Sequence, residues 1–249
     1  MTLIRPSRAV GACESPRRSV TIRHMQTLLF DIDGTLINTG GAGGAALTAC
    51  FSEEFDIPEP AHVAFSGRTD RAIATNLFDE HDIDDTDENW RCLCHGYVTR
   101  LSDELPLRQG RVLPGVTELL ESVCELDHVA VGLLTGNVLT GAKIKLDYFG
   151  LYPYFSFGGY GDVSRNRDDV ARTAVNAARA HLGERFRDDQ VWVIGDTPHD
   201  ITCARAVNAR VLAVATGIHP SDELAAASPD ELHDDLSNTD QIRRLLAGA

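Results

Sequence analysis

At 249 residues with 43% apolar side chains, the chain has material for one large domain or for a domain with a smaller insertion. Its formal net charge of −14 speaks against nucleic acid or an anionic membrane surface as the main partner, because binding to either is dominated by basic patches. No segment approaches the roughly 20 consecutive apolar residues of a membrane helix.

Charge is unevenly spread. Residues 1–24 carry five arginines against one glutamate, which leaves −18 on the remainder. This head has neither the apolar run of a signal peptide nor a strand or heptad pattern, so a disordered leader, or a stretch upstream of a start at Met25, is expected. Its Arg and Ser content alone gives a weaker case for an organelle transit peptide. Cys13, Cys50, Cys92, Cys94, Cys124 and Cys203 are scattered without a CxxC pair, which predicts reduced thiols and a cytoplasmic location. Cys92, Cys94 and His95 lack the second ligand pair that a zinc site needs.

In chain order, the first element is an apolar run, TLLFDI at 27–32, that reads as a strand buried on both faces. From about 40 to 112 the pattern is helical (AALTACFSEEF, DRAIATNLFDEH, NWRCLCHGYVTRLSDEL) with no convincing strand. A helix over 115–126 follows Pro114, then a strand at 129–135, a helix over 138–149 and an alanine-rich helix over 169–182. VWVIGD at 191–196 and VLAVAT at 211–216 are further strands. Strand and helix in alternation predict an α/β fold, a doubly wound parallel sheet with a Rossmann-like core made of residues 25–39 and 113–249. Residues 40–112 are expected to be an inserted helical cap, entered through Gly40, Gly41, Gly43 and Gly44 and left near Pro106 to Pro114.

Ligands of such sheets sit at the carboxyl ends of the strands, and these strands end in Asp31, Thr135, Asp196 and Thr216. Asp31 and Asp33, two apart, can face one space. GDTPHD at 195–200 adds Asp196 and Asp200. Carboxylates gathered this closely repel unless a cation compensates, and an all-oxygen ligand set suits Mg²⁺, which keeps coordination positions for water and a substrate phosphate. Thr135, Gly136 and Asn137 offer a hydroxyl and backbone N–H groups at a helix start, a natural anion site.

DIDGT at 31–35, LLTGN at 133–137 and GDTPHD at 195–200 resemble the first, second and fourth motifs of the haloacid dehalogenase-like hydrolase superfamily, over about residues 26–217. The insertion between the first two motifs resembles the helical cap of phosphoglycolate phosphatase-like members. The resemblance implies a Mg²⁺-dependent phosphatase for a small phosphorylated metabolite, with phosphoglycolate, sugar phosphates and nucleotides as candidates and a modest lead for phosphoglycolate. It further implies Asp31 as the nucleophile that becomes phosphoaspartate and Asp33 as general acid and base. Mg²⁺ would be held by Asp31, the backbone carbonyl of Asp33 and Asp196, with Asp200 in support. Thr135 and Gly136 would hydrogen-bond phosphoryl oxygens, with Asn137 beside them.

The third motif departs from the family pattern. No Lys-Pro precedes the helix before GDTPHD, and the chain's two lysines are Lys143 and Lys145. Arg167 is favoured as the phosphate-neutralising cation, with Lys145 second and Arg165 third. In the cap, Arg68 of SGRTD could bind the far end of an anionic substrate, while Asp70 reads as a helix cap. His199 reads as positional, and Trp90 and Trp192 as core.

Rivals remain. A Schiff-base hydrolase of this family needs a cap lysine, and residues 38–112 contain none. Dehalogenating relatives usually lack the aspartate at the position of Asp33. A sugar phosphomutase tends to carry a histidine where this chain has GGAGGAA. A silent binding module of the same fold is opposed by the intact acidic set. Oligomeric state is open, a homodimer included.

Overall fold

The computed structural model describes residues 24–248, so all of the expected leader except its last residue lies outside the described residues. Strand β1 (Gln26–Phe30) lies between β4 (Val129–Leu134) and β6 (Val191–Gly195), parallel to both. β5 (Gly158–Gly159), β7 (Arg210–Val214) and β8 (Glu231–His233) complete a six-stranded parallel sheet of order β5-β4-β1-β6-β7-β8. Side chains alternate between its faces. Leu28, Phe30, Trp192, Ile194, Leu212 and Val214 enter one apolar cluster, whereas Leu29, Val193, Val211 and Ala213 enter the other.

Helices cover both faces. α4 (Val116–Cys124), α5 (Leu139–Tyr148) and α9 (Thr239–Ala247) put Leu119, Leu120, Leu146 and Ile242 on the first cluster. α6 (Arg167–Leu182) and α7 (Pro198–Ala206) seal the second, where the alanines of α6 permit close approach. Short α8 (Ser221–Ala226) lies between β7 and β8. Helix starts follow local chemistry. Asn166 caps α6 by accepting from Asp168 N, and Thr197 and Asp200 form a capping box on α7. One member of the predicted acidic set is therefore fixed in place by a helix start.

The inserted segment folds as α1 (Ala42–Glu54), α2 (Asp70–Glu80) and α3 (Asp87–Glu104) around Leu47, Phe51, Ile73, Phe78, Leu93 and Leu101. Phe51, Phe55 and Phe78 stack with ring centroids 5.0 to 5.9 Å apart. Val138, at the start of α5, joins this cluster, so the helical layer is seated on the sheet domain through α5. Where the chain crosses between the two, β2 (Ile37–Asn38) pairs antiparallel with β3 (Arg111–Val112). Beyond the ribbon, the four glycines of the expected entry divide. Gly43 and Gly44 belong to α1, and only Gly40 and Gly41 take left-handed backbone at the crossing.

β5 and β8 were not expected; at two and three residues they are too short to show a period. Trp192 is core, whereas Trp90 is half-buried, lies under Arg71 at 5.1 Å and donates its indole N–H to the Asp162 carbonyl. The five cysteines among the described residues are all free. No helix among these residues is long and apolar enough to cross a membrane.

Candidate active site

β1 ends at Phe30 and the chain turns at once, with the Ile32 carbonyl accepting from the N–H groups of Thr35, Leu36 and Ile37. The turn divides the two aspartates between different surroundings. Asp31 is buried, while the Asp33 side chain is 41% exposed. Gly34 makes the turn with φ +89°, and a Cβ there would lie 2.3 Å from Asp196 Oδ2. A Cβ on Gly217 would lie 1.7 Å from that same oxygen. Asp196 therefore occupies a slot that two glycines leave open, and the Thr35 hydroxyl donates to its Oδ1 at 2.9 Å.

Asp31, Asp196 and Asp200, all buried, each offer an oxygen within 4.8 Å of the others. Burial, with Asp200 and Asp33 adding to it against the pull of Arg167, lifts the Asp31 carboxyl to about 6. Burial and the charges of Asp200 and Asp31 push Asp196 well above the usual carboxylate range. Arg167 Nη2 answers part of this charge, 2.9 Å from Asp31 Oδ1 and 2.5 Å from Asp200 Oδ1. Burial works against the guanidinium's charge, but Asp200 and Asp31 outweigh it and hold the group firmly protonated. One cation among three buried carboxylates leaves negative charge over. The hard oxygen donors fit Mg²⁺, which would be held by Asp31 and Asp196 with Asp200 behind them.

A second cation serves the other aspartate. Lys145 Nζ, buried, donates to Asp33 Oδ2 and to Asn137 Oδ1, both at 2.6 Å. Asn137 Nδ2 donates to Asp33 Oδ2 and to Thr135 Oγ1, each at 2.8 Å. Both bonds at Asp33 fall on Oδ2, so Oδ1 has no hydrogen-bond partner, and the residue lines the cavity described below. Thr135 Oγ1 also accepts from Asn137 N at 3.3 Å, which leaves the hydroxyl proton free to donate. The carboxylates that gather closely are those of Asp31, Asp196 and Asp200, without Asp33. The Asp33 carboxylate is engaged by Lys145 and Asn137, in keeping with the expectation that this residue would offer a metal its backbone carbonyl.

The two ends of the site meet in a cavity of about 670 Å³ under the helical cap. Asp31, Asp33, Thr135, Gly136, Asn137, Lys145, Arg167 and Asp196 line its inner end, and Arg68 is among its outer residues. Arg68 is half-buried, with Nη1 3.5 Å from the Ala64 carbonyl, turned back along its own segment. Arg165 lies outside the cavity and pairs with Asp85 of the cap at 2.7 Å, which removes it as a phosphate-neutralising group. His199 is exposed and stands against Gly67. The Thr216 hydroxyl donates to the Gly34 carbonyl at 2.5 Å, bracing the turn.

Asp70 does not cap its own helix; the Thr69 hydroxyl does, accepting from Ala72 N. The Asp70 carboxylate accepts from Val138 N at 2.8 Å, and its backbone N–H donates to the Gly136 carbonyl at 2.7 Å. The inserted helical layer thus meets the turn at Gly136 and the start of α5 through hydrogen bonds. A Cβ on Gly136 would lie 2.0 Å from the Arg68 carbonyl oxygen, so the closed contact needs glycine there. Tyr97 and Phe65 also line the cavity and were not expected in the site. Tyr97 reads as one more helical core position, and nothing local separates the two uses.

The pattern that defines the haloacid dehalogenase-like hydrolases matches residues 28–214. The chain is 28% identical to the "Probable phosphatase IndB" of Dickeya dadantii over 217 residues, 84% of this chain and 90% of that one. It is 24% identical to "Pyrophosphatase PpaX" of Oceanobacillus iheyensis over 86% of this chain and 94% of that one. In fold it is similar to the crystal structure of a predicted phosphoglycolate phosphatase from Haemophilus somnus, with a TM-score of 0.65 at 16% identity over 88% of this chain and 97% of that chain. With the acidic strand ends in the motif order and the family pattern spanning most of the sequence, the chain belongs to the haloacid dehalogenase-like hydrolases.

Proposed function

We propose that the protein is a Mg²⁺-dependent phosphatase that hydrolyses a small phosphate monoester through a phosphoaspartate formed on Asp31. The observation that carries this reading is the division between the two aspartates. Asp31 is buried beside two further carboxylates and Arg167, whereas Asp33 stands at the cavity with one oxygen held by Lys145 and Asn137 and the other free. A nucleophile and a proton carrier need those two different settings. The names of the Dickeya and Oceanobacillus relatives, both phosphate-releasing activities, point the same way.

A carboxylate of Asp31 attacks phosphorus, forming an O–P bond as the ester P–O bond breaks. Asp33 gives its proton to the departing alcohol oxygen. It then takes a proton from the water that attacks the phosphoaspartate, releasing inorganic phosphate and restoring Asp31. The Thr135 hydroxyl and the N–H of Gly136 hold phosphoryl oxygens, while Arg167 keeps Asp31 aimed and offsets the incoming charge. When bound by Asp31, Asp196, Asp200 and the Asp33 carbonyl, Mg²⁺ supplies charge screening between the dianionic phosphate and its nucleophile. Free cysteines are consistent with a reducing, cytoplasmic setting.

The test is phosphate release from an aryl phosphate and a metabolite panel, with Mg²⁺ and with EDTA, by wild type and Asp31→Asn. Release that depends on both Mg²⁺ and Asp31 is expected. Turnover that survives either EDTA or the substitution would remove the reading.

A further inference from the structure

The cavity has two unlike ends. At the inner end, both buried cations are already engaged, Arg167 with Asp31 and Asp200, and Lys145 with Asp33. Beyond Asp33, where the alcohol half of an ester must lie, the walls are Leu47, Val63, Ile73 and Tyr97, all buried, with Phe65 and Ile218 exposed beside them. Gly43 and Gly44 of α1 add room without adding donors. A Cβ on Gly43 would be 3.2 Å from Lys145 Nζ and 3.7 Å from the Tyr97 hydroxyl, so this space adjoins the reacting end directly.

Charge in the outer part is unfavourable to an anion. A carboxylate, Asp70, lines the cavity as well, accepting from Val138 N. Arg68 and His62 also line it, but His62 is exposed and Arg68 is turned toward the Ala64 carbonyl. Ser66, the wall's hydroxyl on the same segment, is already bonded to His219 Nε2 at 3.2 Å. A second carboxylate or phosphate on the substrate would lose its water here, and the buried cation nearest it, Lys145, is already engaged by Asp33 and Asn137; a sugar's several hydroxyls would find few partners beyond Tyr97, Asn38 and Thr39. An apolar group meets a surface that matches it, in a cavity within the ~300–1,000 Å³ range usual for organic ligands.

We infer that the substrate is a phosphate monoester of a neutral, apolar alcohol of about ring size, aromatic or alicyclic. This rests on the phosphatase reading above and narrows it. Phosphoglycolate, given a modest lead by the sequence resemblance, becomes a disfavoured case because its carboxylate would enter a cavity lined by Asp70 and the apolar wall.

The experiment compares kcat/KM of the wild-type, Mg²⁺-loaded enzyme for benzyl phosphate, phosphoglycolate, glucose 6-phosphate and a nucleoside 5′-monophosphate. These are all esters of primary alcohols, so binding differences dominate over leaving-group chemistry. Benzyl phosphate is expected to exceed phosphoglycolate by about 100-fold. Phe65→Ala, a change at an exposed position, is expected to cut that advantage about tenfold, through KM. If phosphoglycolate, the sugar phosphate or the nucleotide matches or beats benzyl phosphate in an Asp31-dependent reaction, the inference fails and the phosphatase reading stands. An advantage untouched by Phe65→Ala overturns the placement of the alcohol against that wall. No Asp31-dependent release from any of the four overturns both readings.

Discussion

The inner and outer ends of the cavity are built on different principles. The inner end is a set of strand-end side chains fixed by short-range geometry: Asp196 slotted between Gly34 and Gly217, Asp200 fixed by its capping box, and Asp33 held by Lys145 and Asn137. The outer end belongs to a helical layer that reaches the sheet through a two-stranded ribbon, the seat on α5 and a few hydrogen bonds at Gly136 and Asp70. The proposed chemistry thus rests on the strand ends of the sheet, and the proposed selection on the inserted helical layer. Damage to the inner end should lower kcat or metal affinity, whereas damage to the outer end should act on KM.

The largest effect should come from Asp31→Asn, which keeps the shape of the side chain and removes the nucleophile. Turnover should fall by about 10⁴-fold or more. Phosphate release under saturating substrate and Mg²⁺ measures it, and a KM effect without a kcat effect would contradict the division drawn above.

Arg167→Ala comes next. It leaves Asp31 and Asp200 buried without their shared cation. A loss of about 10²–10³-fold in kcat is expected, together with a lower melting temperature that Mg²⁺ partly restores. Melting curves with Mg²⁺ and with EDTA read the second part. If Arg167→Ala left kcat unchanged, the charge-offsetting role would pass to Lys145.

Gly217→Ala tests the slot itself. A Cβ at 1.7 Å from Asp196 Oδ2 must displace the carboxylate. Mg²⁺ affinity should weaken by about 10–100-fold, with the fold retained, and a Mg²⁺ titration of activity would show the shift. The slot also marks the limit of what the sequence discloses. DIDGT and GDTPHD are legible because acids at strand ends have few uses, and the order of the motifs is visible in one dimension. Gly217 is not legible, since it is needed only by an atom far away in the chain, and Gly136, legible as a backbone N–H donor, is not legible as the gap that admits the Arg68 carbonyl. Lys145 and Arg167 stay ranked rather than assigned in the sequence because both lie on helices, where packing decides which way a long side chain turns. Arg165, two residues from Arg167, is carried off to Asp85. Tyr97, Phe65 and Ile73 are hidden for another reason: a cavity wall and a packed core ask for the same residues at the same helical spacing.

At the outer end, Gly136→Ala would set a Cβ against the Arg68 carbonyl at 2.0 Å. The cap should sit open more of the time, with a rise in KM on the order of tenfold and a smaller change in kcat. Steady-state kinetics separate the two. A kcat loss alone would mean that Gly136 serves the phosphate and not the cap, and the contrast between the two ends would blur.

The smallest expected effect is a pH dependence of cap closure through Asp70. Burial lifts its carboxyl from 3.8 to about 6, opposed by Lys145 and by the bond from Val138 N, with Asp33 and Asp162 adding to the rise. Opening the cap returns the group to water and toward its ordinary value. Closure therefore takes up a proton, and the closed form's raised pKa gives a contribution that is full below about 4 and is lost as pH climbs through about 6. Trp90 reports on closure, since its indole N–H bonds to Asp162 across the same seam, while Trp192 stays in the sheet core. In a Trp192→Phe background, Trp90 emission should shift toward that of a wetter indole between pH 4 and 6. Asp70→Asn keeps an acceptor for Val138 N and removes the charge, so it should flatten that titration and lower KM a few-fold at neutral pH. The same titration surviving in Asp70→Asn would assign the proton to Asp162, whose carboxylate bonds Leu139 N at 2.9 Å and is likewise raised by burial. The seam would then be governed from the sheet side and not by the cap.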